Sequence, residues 1–261
     1  MFLYVLLTMI MNTLKKVASA PTTDDHDYSC GVLRSASLFA NLSDEEFACF
    51  QSAAQLRTHK KGKVIYLQGE PARFFYIVNA GWVKLFRTMP EGDEVIVDML
   101  TTGHMFGESA MFEHDIQMCS AQVVEDVQLF SIPSRLLKEQ ISLNPKLAMN
   151  MLAAMSRHHR HHSGALAFNA MLSAPQRIGC FLLKLCPEGK ASNVAFDFPY
   201  DKTLIADTLG MKGATFSRAL NILRQKTGIH VEGSRIEIES VVRLAQFVYG
   251  ALATHYVSAD M

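Results

Sequence analysis

The chain has 261 residues, of which 49% are hydrophobic and 19% charged, enough for two modest domains and too apolar for a disordered polypeptide. Its formal net charge is zero, which excludes nucleic-acid binding by bulk charge and leaves only local charge to do so. Five cysteines (Cys30, Cys49, Cys119, Cys180, Cys186) include no C-x-x-C pair and are odd in number, which argues against a disulfide scaffold or a zinc ribbon and suits a reducing cytoplasm.

The first segment, "MFLYVLLTMIMNTLKKVASAP", carries an apolar run and a small-residue "ASA", as an export signal does. However, Lys15 and Lys16 follow the run instead of preceding it. The run is also shorter than the roughly 20 residues a membrane span needs. Residues 1–28 therefore read as an extension, with "MNTLKK" at Met11 as the expected true start. No later segment reads as a membrane span, so no membrane partner is expected.

"NLSDEEFACFQSAAQL" reads as a helix opened by a capping box of Ser43 and Glu46. Glycines at 62, 69, 81, 92, 103 and 107 then separate short β-rich runs: "KVIYLQ", "FFYIVNAG", "WVKLFRT", "EVIVDML" and "AQVVEDVQLFSI". Short strands at this spacing predict a sandwich or barrel, with "MPEGDE" as a hairpin turn. Met105, Met111 and Phe112 read as core.

After Pro133 the β signals stop. Asn144 as N-cap and Pro145 at the first helical position open a long helix over 144–172. Leu147, Met151, Ala154, His158, His161 or His162, Ala165, Phe168 and Leu172 recur at three/four spacing. That stripe is longer than one β unit can readily cover, and pairing with a second copy of the chain is the economical solution; the alternative is a long helix packed wholly within one chain. Within it, "HHRHH" puts His158, His161 and His162 on one helical face, a spacing that suits a metal or an axial haem ligand. Arg157 and Arg160 beside them suit a solvated basic face instead.

A second domain is expected over 173–250, with 251–261 as a tail. "SAPQRIGCFLLKLC" is an amphipathic helix with Ile178, Phe181, Leu182 and Leu185 on one face, and "VAFDFPY" is a strand. "LIADTLGMKGATFSRALNILRQ" reads as helix, turn at Gly210, helix, with Asp201 capping the first. "GIHVEGSRIEIES" is a hairpin and "VVRLAQFVYGALA" a closing helix. This is the order of a winged helix. Phe216, Ala219, Leu220 and Leu223 face inward, leaving Ala214, Ser217, Arg218 and Asn221 on the opposite face. Arg218 can donate two hydrogen bonds to a guanine edge and Ser217 can reach a base or phosphate. From Ser173 to Gly250 there are ten Lys/Arg against seven Asp/Glu. Lys212, Thr215, Ser217, Arg218 and Asn221 are the candidate DNA contacts.

"GEPARFFYIVNAGWVKLF", "GHMFGESAMF" and "TFSRALNILRQKTGIHVEG" together resemble the Crp/Fnr family of bacterial transcription regulators, over about Leu38 to Val248. The resemblance implies an α+β chain with three parts: a cyclic-nucleotide-binding-type β-roll (jelly roll) over 29–143, a long dimerisation helix, and a C-terminal winged helix-turn-helix. It implies a homodimer on a palindromic promoter site, contact with RNA polymerase, and no enzymatic activity. "SAMF" and "TFSRAL" look most like the branch that answers to nitrogen oxides. The implied effector pocket holds Gly107, Glu108, Ser109, Cys119, Ser120, His158 and His162.

Three departures from the family's pattern bear on mechanism. Members that bind cyclic AMP carry Arg-Ser where this chain has Cys119-Ser120, and a neutral thiol cannot make the charge-assisted bond to the cyclic phosphate. An iron–sulfur cluster is disfavoured because only Cys30 and Cys49 precede the β-roll. Ala214 stands where the family commonly places a Glu that contacts cytosine. The effector is thus unassigned, with haem and nitric oxide as candidates. The alternative to a DNA-binding regulator is a cyclic-nucleotide-binding-type sensor module without DNA function. An enzyme built on "CS" or the histidines lacks any accompanying catalytic motif.

Overall fold

A computed structural model describes residues 31–112, 114–156, 172–186 and 192–257. These fall in two compact units, one within residues 31–156 and one within 172–257.

In the first unit, Asp44–Ala53 forms helix α1. Ser43 Oγ accepts from Glu46 N at 3.2 Å while Glu46 Oε2 accepts from Ser43 N at 2.7 Å, the expected capping box. The helix stops at Ala53, earlier than the sequence suggests, and Gln55–His59 turns into strand β1. β1 finds a partner ladder along the end of the long strand β6, Ser120–Pro133, and that pairing overrides helical continuity. Strands β2 (Val64–Tyr66), β3 (Phe74–Thr88), β4 (Glu94–Leu100) and β5 (Met105–Phe106) complete a six-stranded antiparallel sheet. Its main path runs β1-β6-β3-β4, with β2 on β6 and β5 on β3.

The expected strands "FFYIVNAG" and "WVKLFRT" are one strand, β3. Gly81 bends it without breaking it: φ is +90° and the register against β6 shifts around Ala80 and Trp82. A Cβ at Gly81 would lie 2.3 Å from Asp126 O, so only glycine lets the two long strands stay in contact through the bend. The hairpin over "MPEGDE" forms as expected, with Gly92 N donating to Met89 O and Met89 N to Asp93 O.

The sheet encloses one core and helices cover a second. Inside the roll lie Tyr66, Val78, Val83, Leu100, Phe106 and Leu129. Outside it, Phe39, Phe50, Phe75, Ile77 and Ile132 meet residues from two helices. One is α2, Ser134–Leu143, which the sequence reading absorbed into the roll. The other, α3, is helical over 145–156, and Asn144 Oδ1 accepts from Lys146 N at its start.

The described start of the stripe expected to pair with a second copy packs within its own chain. Leu147 and Met151 are buried in the outer core of their own unit, because the sheet's outer apolar face lacks other cover there. The exposed apolar residues of α3 are instead Met149, Leu152 and Met155. Ala165, Phe168 and the histidines His158, His161 and His162 lie outside the described residues, and Leu172 sits in a bend. Met111 is buried and Met105 half-buried as expected, but Phe112, the last residue of the 3-10 turn Ser109–Phe112, is 46% exposed.

In the second unit, α4 (Ala174–Leu185) packs against α6 (Gly213–Thr227) and α7 (Val241–Val257). Helix α7 runs past the expected tail boundary at 250. Strands β7 (Ser192–Asp197), β8 (His230–Glu232) and β9 (Arg235–Ser240) form a sheet in the order β7-β9-β8.

Gly81→Ala is expected to lower the stability of the first unit by at least about 2 kcal/mol, since strain in φ and a backbone clash act together. Chemical unfolding followed by tryptophan fluorescence measures it. An unchanged midpoint would mean that the bend does not need glycine.

Candidate nucleic-acid interface and sensing site

Helix α5, Lys202–Thr208, opens on Asp201, whose Oδ1 accepts from Leu204 N at 2.9 Å. Gly210 ends it with φ +63°, and α6 begins at Gly213 behind Lys212 as N-cap. The turn between them is held from α4: Arg177 Nη1 donates to Leu209 O at 2.9 Å. Sequence counting took Arg177 as part of the basic excess. In the structure its guanidinium satisfies a carbonyl at the end of α5, where such carbonyls lack helical partners.

α6 is divided cleanly. Phe216, Ala219, Leu220 and Leu223 are all buried, Leu223 with no exposed surface at all (0%). Lys212, Gly213, Ala214, Thr215, Ser217, Arg218 and Asn221 are exposed. All five candidate DNA contacts thus share the outward side of one helix and its cap. Ala214, Arg218 and Asn221 run down the middle of that side, and exposed Gln225 extends the row. Sequence reading passed over Gln225, although its spacing of four from Asn221 signals the same face. Ile222, 46% exposed, lies beside the row.

Ser217 departs from expectation. Its hydroxyl donates to Gly213 O at 3.0 Å, so its proton is engaged within the helix and its oxygen remains to accept. It is therefore placed to meet a base amino group in preference to a phosphate, which can only accept. At the other end Gly228, with φ +72°, caps α6 and donates to Arg224 O. β8 and β9 then form the wing about Gly233 and Ser234, with Ser234 Oγ donating to Asp197 Oδ1.

The described part of the expected effector pocket lies around the short strand β5. Gly107 takes φ +82°, and Ser109 starts the 3-10 turn behind it and is exposed. Glu108 has its Oε2 buried with no hydrogen-bond partner among the described residues, and burial raises its carboxyl above the ordinary value of 4.5. Cys119 is half-buried, and burial raises its thiol while nearby Arg87 opposes the shift. Ser120 Oγ accepts from Gln68 N at 3.0 Å, which locks it to the neighbouring loop. Tyr66, whose phenol is pushed up by burial, then by Cys119 and Glu108, completes the group. The rings of Tyr66, Tyr76 and Phe106 stand together at centroid distances of 5.1–6.1 Å.

Arg87 is the residue that sequence reading missed here. It extends from β3 beside the Cys119 loop, donating from Nε to Met118 O at 3.2 Å. A cation thus stands next to Cys119 although position 119 itself carries none. The signal was the strand pairing of Phe86 with Ser120, which no motif announces. This cluster sets a buried carboxyl with a raised pKa, a core of aromatic rings and the Arg87 cation around one loop. His158 and His162, also expected in this pocket, lie outside the described residues. Among the described residues there is no group of three or more His, Cys, Asp or Glu that could hold a metal ion. No helix among them is long and apolar enough to cross a membrane.

Replacing Glu108 tests its environment. An acid whose folded pKa is raised leaves stability complete below its unfolded value and loses it as pH rises through the folded one. Glu108→Gln is therefore expected to melt like the parent below about pH 4.5 and above it in temperature at neutral pH. Melting curves from pH 4 to 8 check this, and a constant offset would mean the carboxyl is ordinarily solvated.

Residues 56–144 match the model of the cyclic nucleotide-binding domain, and residues 176–247 match that of the Crp-like helix-turn-helix domain. Over 220 residues the chain is 26% identical to the CRP-like cAMP-activated global transcriptional regulator of Mycobacterium tuberculosis, covering 82% of this chain and 97% of that protein. It is 28% identical to the cyclic AMP receptor protein of Thermus thermophilus, covering 84% and 99%. Among solved structures it resembles a Ruegeria pomeroyi protein provisionally assigned as a cyclic nucleotide binding protein, at 30% identity and TM-score 0.66, covering 86% and 99%. With a capped helix-turn-helix, a following wing and a β-roll in the matched segments, the chain belongs to the Crp/Fnr family of DNA-binding transcription regulators with an N-terminal sensing domain.

Proposed function

We propose that this regulator acts as a homodimer in the cytoplasm, reads a two-part promoter site through α6, and adjusts its DNA affinity to an effector bound in the β-roll. The observation that carries the reading is the exposed row of α6, Ala214 followed by the hydrogen-bonding Arg218, Asn221 and Gln225, opposite a buried face. The first turn of that face carries only small side chains, Gly213, Ala214, Thr215 and Ser217, with Arg218 beside them, which suits close approach of the helix to the floor of a major groove. The exposed Met149, Leu152 and Met155 of α3 support self-association. RNA polymerase is the further expected partner.

The proposed effector is not cyclic AMP. A thiol at position 119 offers no charge-assisted bond to a cyclic phosphate. Arg87 favours an effector that brings an anionic or strongly polar group to the Cys119 side. "SAMF" and "TFSRAL" favour the nitrogen-oxide-responsive branch, within which haem and nitric oxide remain the candidates to try first.

Arg218→Ala is the direct test. The full chain should select a duplex from a randomised pool, and the variant should bind that duplex about tenfold to a hundredfold more weakly. Its affinity for unrelated DNA should change little, because a base contact and not a phosphate contact is lost. Equal weakening on both duplexes would remove Arg218 from base reading.

A further inference from the structure

We infer that Ala214 is a specificity residue that reads thymine, its methyl group resting against the thymine 5-methyl next to the guanine taken by Arg218. This rests on α6 being the DNA-reading helix and names what one of its positions recognises.

Ala214 is the second residue of α6 and is exposed, with Lys212 and Gly213 before it. It heads the row that continues through Arg218, Asn221 and Gln225, and it is the only member of that row with no hydrogen-bonding group. Gly213 presents no side chain, and a Cβ there would meet nothing within 4 Å, so the first turn is slim on the side that approaches a partner. A methyl group in that position cannot donate to or accept from a base edge. The apolar feature that bases present in the major groove is the 5-methyl of thymine. Contact removes both methyl groups from water, whereas guanine or cytosine at the same place would leave a polar edge facing Ala214 unpaired.

The geometry also fixes where that thymine lies. Ala214 and Arg218 are one helical turn apart, about 6 Å along the axis. Base pairs are stacked about 3.4 Å apart. The thymine is therefore within two base pairs of the guanine, in each half-site. Ser217, with its proton held by Gly213 O and its oxygen left to accept, is placed beside them for an amino group of adenine or cytosine.

The experiment uses the full chain and half-sites recovered from a randomised duplex pool. The guanine read by Arg218 is located as the position whose replacement no longer matters to Arg218→Ala. Each thymine within two base pairs of it is then replaced, one at a time, by 2′-deoxyuridine, which lacks only the 5-methyl. Wild-type protein is expected to lose about threefold to fivefold in affinity at one such position per half-site, the worth of one buried methyl. Ala214→Gly is expected to bind thymine and uracil alike there, and Ala214→Glu to shift the preference to cytosine. Equal binding of both bases at every such position by wild-type protein would overturn the inference. Recovery of no enriched half-site would instead overturn the reading of α6 itself.

Discussion

The second unit depends on the closeness of α4 to its neighbours at Gly179. A Cβ there would lie 2.6 Å from Val248 Cγ2 on α7, with Leu244 Cδ1 at 3.4 Å and Leu223 Cδ1 at 3.7 Å. Glycine in a helix interior costs about 1 kcal/mol relative to alanine. That cost is offset by bringing α4 against α7 and against the buried face of α6. Burying Leu223, Leu244 and Val248 without exposure is worth about 1.5–3 kcal/mol each. Once Leu223 is fixed, the rotation of α6 about its axis is fixed as well. The exposed row from Ala214 to Gln225 is the geometric complement of that packing.

Two residues N-terminal to Gly179, Arg177 adds the second coordinate. Its bond to Leu209 O ties the turn of the helix-turn-helix to α4. The capped start of α5 at Asp201 and the left-handed Gly210 leave the chain little choice between the helices. The reading face is thus positioned by buried apolar contact on one side and by a guanidinium on the other. None of the residues that set its orientation is among those expected to touch DNA. This division separates the residues that hold the scaffold from those free to set the reading face.

The sequence was most legible where local physics decides. The inward spacing of α6, the capping residues Ser43 and Asp201, the hairpins, and the glycines at turns all follow from residues within a few positions of one another. It was least legible where distant pairing decides. β1 exists because β6 passes beside it, and β3 stays whole because Gly81 bends it against Asp126. Leu147 and Met151 turn inward because the outer core needs cover, so the exposed stripe of α3 falls on Met149, Leu152 and Met155 instead. In the sensing unit, Arg87 reaches the Cys119 loop only through the register of β3 on β6. Ser217's inward hydrogen bond is equally invisible to a helical wheel, which assigns a face but no rotamer.

The central claim is that two copies of α6 read two half-sites from one face of a duplex. Hydroxyl-radical footprinting of the full chain on a selected duplex tests it most directly. The account predicts two protected stretches on the same side of the DNA, separated by one helical turn, about 10 base pairs, or a multiple of it. A single protected stretch, or uniform protection that spreads along the duplex, would contradict it.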